Sequence, residues 1–159
     1  MHPRAQELIQ RLELQPHPEG GFYFECFRSR ARVTGSEGER DSLTVIYFLL
    51  TEGTHSRWHQ VAADEVWTHL EGDGLQLVDL DLPTETLNQI ALGSLVEGRK
   101  PVHAVPAGHW QAARPLGAYA LVACTVAPGF EFADFNLLCD RPREAKLLRG
   151  RFPELAALL

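Results

Sequence analysis

Two side chains able to do acid–base work, His59 and Glu65, stand in the stretch GTHSRWHQVAADEVWTHLEG that runs from Gly53 to Gly72. An imidazole titrates near neutral pH, and a neighbouring carboxylate can orient the ring and stabilise its cation. Such a pair shuttles protons; with one or two further donors it holds a divalent metal. Burying both groups is costly without a partner or a purpose, so they are the expected catalytic residues.

The elements that must position them read as two strands and a turn. Ser56 to Val61 is rich in aromatic and β-branched residues, Ala62-Ala63-Asp64 is a short turn, and Glu65 to Leu70 alternates until Gly72 ends the run. This predicts a hairpin. Side chains alternate along a strand, so His59 and Val61 share one face, and Glu65, Trp67 and His69 share another. His59 and Glu65 then face each other.

The rest of the chain supplies the walls. Ala5, Leu8, Ile9 and Leu12 fall at helical spacing between Pro3 and Pro16, which predicts a short amphipathic helix. After Gly20-Gly21, Phe22 to Ser29 reads as a strand with Tyr23 and Glu25 on one face and Phe24 and Cys26 on the other, so that one side lines a cavity. Arg30 to Asp41 is polar and aperiodic, a flexible loop. Ser42 to Thr51, which includes Tyr47, is apolar almost throughout and predicts a strand buried on both faces. In a small barrel only one face is interior, so a second sheet or a second subunit is needed to cover the other, and a homodimer is expected. Further strands are expected at Leu75 to Leu82, Leu87 to Leu95, Val102 to Val105, Gly108 to Ala112, Tyr119 to Val126 and Phe130 to Leu138. Asp140 should cap a helix ending near Gly150, and Pro153 to Leu158 a last turn or two. Short strands with turn signals and helix only at the two ends describe an all-β barrel or sandwich, one domain over residues 1–159.

At Gly53, His59, Glu65 and Gly72 the chain resembles the first motif of the cupin superfamily, with Val61 where the second His would stand. Pro106-Ala107-Gly108-His109-Trp110-Gln111 is similar to the second motif, with Gln111 in place of the last metal-binding His. HPEGGFYFECFRS near the N-terminus, DEVW at 64–67 and PGFEFADF at 128–135 resemble the uncharacterised Cupin_5 family, from Leu8 to Leu155. The resemblance implies a double-stranded β-helix, or jelly roll, with short terminal helices. It also implies a metal held by three His and one Glu, of which this chain keeps one each. His55 and His69 lie four residues from His59 and Glu65, roughly 13 Å along a straight strand. No metal is therefore expected; were a divalent ion bound, His59, Glu65, His109 and Gln111 would hold it. Metal-free members of the superfamily include nucleotide-sugar epimerases. By that likeness His59 is the base, Glu65 its orienter or the acid, Trp67 a stacking wall, and Tyr23 or Tyr47 a second acid. Glu25, His69 and Gln111 complete the expected ligand-binding set. The same pocket could instead bind a metabolite without turning it over, or serve a metal-dependent oxygenase.

Charge and composition exclude other classes. A net charge of −6 over 159 residues argues against a nucleic-acid partner. No stretch approaches the roughly 20 apolar residues that span a bilayer, so no membrane partner is expected. Three cysteines without a CxxC pair suit a reducing compartment, and the chain reads as cytoplasmic. The expected partner is a small polar molecule, which the cupin resemblance implies is a carbohydrate or nucleotide-sugar derivative.

Overall fold

The computed structural model describes residues 1–35, 38–96 and 98–159. Helix α1 (Pro3–Arg11) leads into strands β1 (Gln15–Pro16), β2 (Phe22–Arg28), β3 (Arg32–Gly35), β4 (Gly38–Asp41) and β5 (Thr44–Thr51). Next come β6 (Ser56–Gln60), β7 (Asp64–Gly72), β8 (Leu75–Asp81) and β9 (Thr86–Leu92). β10 (Val102–Val105), β11 (Trp110–Pro115), β12 (Tyr119–Ala127) and β13 (Asn136–Leu137) follow. The chain ends in helix α2 (Pro142–Arg151) and a 3₁₀ segment, Pro153–Leu158.

The strands form two facing sheets, as the jelly-roll expectation requires. One runs β1-β2-β5-β12-β7-β10 and the other β13-β6-β11-β8-β9, with every strand pairing antiparallel. Their inner faces bury Phe48, Leu50, Trp67, Leu75, Leu77, Leu92, Val122 and Cys124 in one core. Burial of this kind contributes roughly 25 cal/mol per Å² of apolar surface and holds the two sheets together.

The helices cover part of each outer face. Leu8 and Ala5 of α1 pack on Leu49, Tyr119 and Leu121, with Tyr47 at the edge of the cluster. His2 caps this helix, its Nδ1 accepting from the Arg4 N–H at 3.2 Å. Helix α2 and the C-terminal 3₁₀ segment bury Ala145, Leu148, Leu155 and Leu158 against Trp58, Val78, Leu80 and Trp110. Trp58 Nε1 donates to the Leu155 carbonyl at 3.1 Å, tying the C-terminus to β6.

Five expectations change. β6 and β7 do not pair as a hairpin; they belong to opposite sheets, and the 61–63 turn crosses between them. The apolar run of β5 is covered on its outer face by α1 rather than by a second sheet, so its composition alone does not require a second subunit. In place of the expected loop over Arg30 to Asp41, β3 and β4 pair antiparallel, held by Arg32 Nη1 to Asp41 Oδ1 at 2.5 Å; residues 36 and 37 of that stretch lie outside the described residues. Polar sequence hid the strands because charge pairs, not apolar contacts, hold them. The run from Phe130 to Leu138 holds a 3₁₀ turn at Phe132–Asp134, the two-residue β13 and the start of a second 3₁₀ turn, in place of one strand. Arg141 rather than Asp140 occupies the N-cap of α2, and Pro142 opens the helix.

Candidate active site

The pocket begins with the short loop before β2. Gly20 and Gly21 adopt φ of 113° and 69°, a region open to glycine. A Cβ on Gly20 would strike the His55 carbonyl oxygen, and one on Gly21 would lie 2.7 Å from the Leu49 carbonyl oxygen. The loop therefore sinks against β5 and the start of β6, where the Arg57 N–H donates to the Glu19 carbonyl at 2.8 Å. This close approach carries the side chains of His17 and Glu19 into the barrel.

There Glu19 meets His59. Glu19 Oε1 accepts from Ser56 Oγ at 2.8 Å, while Oε2 lies 3.3 Å from His59 Nε2 and 3.4 Å from His17 Nδ1. His59 Nδ1 is 2.8 Å from the Arg57 carbonyl, which can only accept, so Nδ1 carries a proton and Nε2 turns to Glu19. His59 and Glu19 are 2% and 5% exposed. Burial pushes the Glu19 carboxyl up to about 8, against the Ser56 hydroxyl and Arg57, which pull it down. Burial pushes the His59 imidazole down, opposed by the charge of Glu65. Both shifts disfavour charge on the two groups, and a proton carried by the Glu19 carboxyl would stand against the unprotonated Nε2 of His59.

Glu65, the second carboxyl, approaches from β7. Burial raises it and Glu19 adds to that, against His59 and the Gln111 hydrogen bond, which lower it. Its Oε2 accepts from Gln111 Nε2 at 2.5 Å, and Gln111 Oε1 in turn accepts from Trp67 Nε1 at 2.9 Å. Gln111 and His59 face each other in register on β11 and β6.

The pocket encloses about 140 Å³. His17, Glu19, His59, Glu65 and Cys124 line its inner part, with aromatic walls from Tyr23, Phe48, Phe130, Phe132 and Phe135. At its charged side Arg28 is held by Glu25 at 2.8 Å, Asp41 at 3.0 Å and Glu131 at 3.2 Å. A bulge in β2 between Glu25 and Phe27 brings Arg28 to the pocket along with Tyr23 and Glu25, breaking the strict alternation read from sequence.

His59, Glu65, Tyr23 and Glu25 thus line one pocket, Gln111 touches Glu65 from behind that lining, and Trp67, Tyr47, His69 and His109 stand apart from it. Trp67 is core, edge-on to Phe48 at 5.8 Å, and acts through Gln111 rather than as a pocket wall. Tyr47 packs under α1 on the outer face of its sheet. His69 is half-buried opposite Val122, outside the pocket lining, its buried Nε2 bonded to no described residue. His109 Nδ1 donates to Asp79 Oδ1 at 2.7 Å, in a separate cluster with His103. His17 and Glu19 escaped the sequence reading; the signal was two titratable residues, two apart, directly before a Gly-Gly pair.

The residues at the superfamily's metal positions do not fit an ion. Gln111 has its oxygen taken by Trp67 and its amide turned to Glu65, Val61 offers no donor, and His109 is bound to Asp79. Among the described residues no three His, Cys, Asp or Glu side chains converge as a metal-binding group.

Two antiparallel sheets closed over a polar pocket of this kind define a cupin barrel. Residues 6–138 match the Cupin_5 family of the cupin superfamily, DUF985. The chain belongs to that family. It is similar to a hypothetical protein from Leishmania major, at 32% identity and TM-score 0.82 over 97% of this chain and 95% of that one. It is also similar to a protein of Shewanella oneidensis, at 34% identity and TM-score 0.81 over 97% and 93%. An oxalate decarboxylase mutant from Bacillus subtilis shares the fold at 14% identity and TM-score 0.61, over 91% of this chain and 37% of that one. No curated protein matches the chain. Among the described residues no helix is long and apolar enough to cross a membrane.

Proposed function

We propose that this protein is a metal-independent enzyme that moves a proton on a small, uncharged carbonyl compound, as an isomerase or epimerase does. The observation that carries this reading is the 3.3 Å approach of Glu19 Oε2 to His59 Nε2 within the pocket. A general base works best with a pKa near the operating pH, and a carboxyl raised to about 8 and coupled to an imidazole meets that condition. Once the carboxyl proton leaves, the pair is a base beside the space a substrate would fill. Glu65, fixed by Gln111, is the second carboxyl able to give or take a proton.

Size narrows the substrate. A cavity of about 150 Å³ holds a benzene-sized molecule, so the pocket accommodates a fragment up to about a sugar ring. A nucleotide-sugar would place only its sugar inside, with the nucleotide beyond the mouth. The aromatic walls suit an uncharged, partly apolar face.

The test is solvent deuterium incorporation into sugar-sized aldehydes and ketones, followed by proton NMR in D₂O. The wild type should exchange an α-proton, and Glu19→Gln and His59→Gln should each slow exchange about 100-fold or more. A substrate turned over equally well by all three proteins would remove this assignment.

A further inference from the structure

The Glu19–His59 pair accounts for one proton in the pocket and leaves a second imidazole beside it. The Glu19 N–H lies 3.3 Å from His17 Nδ1 and donates to it. A ring nitrogen that accepts a hydrogen bond is unprotonated, so His17 is neutral with its proton on Nε2. Burial favours the same state and holds the imidazole down to about 3.

Four aromatic rings fix this imidazole in place. Tyr23, Phe48 and Phe135 meet it edge-on, at centroid distances of 4.5, 5.9 and 5.8 Å, and Phe132 stacks at 6.0 Å. Its side chain is 6% exposed and lines the pocket with Glu19 and His59. Nε2–H donates to no described residue. A rigid, neutral donor free to meet a ligand oxygen is the arrangement that stabilises developing negative charge, because it needs no reorganisation as the charge appears.

The charge of the lining restricts what that oxygen belongs to. Glu19, Glu65, Glu25 and Glu131 all line the pocket, and its one arginine, Arg28, is engaged by Glu25, Asp41 and Glu131. Among the described residues that line the pocket, an anionic substrate would find carboxyl groups and no free cation.

We propose that His17 is a catalytic residue whose Nε2–H binds the carbonyl oxygen of a compact, uncharged substrate and stabilises the enolate oxygen formed from it. This rests on the proton-transfer reading above. The α-proton passes to the deprotonated Glu19–His59 pair, the C–H electron pair becomes the enolate C=C bond, and the carbonyl π pair moves to oxygen. Return of a solvent-exchanged deuteron to the same carbon restores the carbonyl.

Two experiments separate the two claims. The first titrates 4-fluorophenol, a neutral ring of about the pocket's size whose hydroxyl oxygen can accept the Nε2–H, by ¹⁹F NMR. His17→Phe keeps the aromatic packing and should bind it at least tenfold more weakly than wild type. His17→Gln restores an N–H and should recover most of the affinity. Equal affinities in all three folded proteins, or no binding to wild type, would overturn the donor role. The second follows deuterium exchange of dihydroxyacetone in D₂O. His17→Phe should lower kcat about 100-fold with little change in KM. Exchange unchanged in His17→Phe would overturn the inference and leave the proton-transfer reading standing. Absence of exchange in wild type would count against that reading, and the fluorophenol titration would still decide whether His17 is a donor.

Discussion

At the scale of single residues, the proposed proton transfer rests on a carboxyl and an imidazole, Glu19 and His59, buried 3.3 Å apart. The rate should follow deprotonation of that pair. With Glu19 raised to about 8, kcat/KM should climb tenfold per pH unit from pH 6 and level off above about 8. A steady-state pH profile checks this, and Glu19→Gln should abolish the upper inflection. The same shift affects stability. The folded state binds the Glu19 proton more tightly than the unfolded chain, so stability falls as pH rises from about 4.5 to 8. His17 acts the opposite way: held neutral in the fold, it makes stability rise between about 3 and 6.5. Above pH 6.5 only the Glu19 slope remains of these two. Urea melts at pH 6.5 and 8.5 should show wild type losing stability across that interval and Glu19→Gln losing much less.

At the scale of elements, the site depends on one loop lying closer to β5 and β6 than any side chain at Gly20 would allow. Gly20→Ala should destabilise the protein by about 2 kcal/mol or more, since a positive φ and a carbonyl clash coincide there. Thermal melts would measure the loss, and ligand binding should fall with it as Glu19 is displaced. This loop also shows what could be read from sequence. The strand positions of β2, β5, β8, β9, β10 and β12 were legible because their apolar runs are bounded by Gly and Pro. His59 and Glu65 were legible because a jelly roll aims those positions inward. His17 and Glu19 were not, because they belong to no periodic segment; only the depth of the Gly20-Gly21 loop makes them interior. Gln111 was placed correctly as inward, but its role was hidden: its amide spans two partners on the opposite sheet, a relation no spacing along one strand encodes. Trp67 misled for the same reason, since alternation gives a face but not whether that face meets core or cavity.

At the scale of the whole molecule, the two-sheet barrel separates stability from chemistry. The apolar layer around Phe48, Trp67 and Leu77 and the two helical covers hold the frame, and the polar pocket occupies the side where β2 and β6 face each other. The larger sheet is not fully covered. Beyond α1 its outer face leaves Phe24 38% and Val102 48% exposed. A second copy packed on that face would bury both, and the account expects a dimer. Light scattering at micromolar concentration should give twice the 17.8 kDa of one chain; a monomer mass would remove the expectation without touching the pocket chemistry.

The central claim is that the pocket holds a carboxyl poised to exchange its proton near neutral pH. The most direct test is a pH titration of protein labelled with ¹³C at glutamate Cδ, observed by NMR in wild type and Glu19→Gln. A glutamate resonance should titrate near 8 in wild type and be absent from Glu19→Gln. If every glutamate titrates between about 3 and 5.5, Glu19 is an ordinary solvated carboxylate, and the proton-transfer account is contradicted.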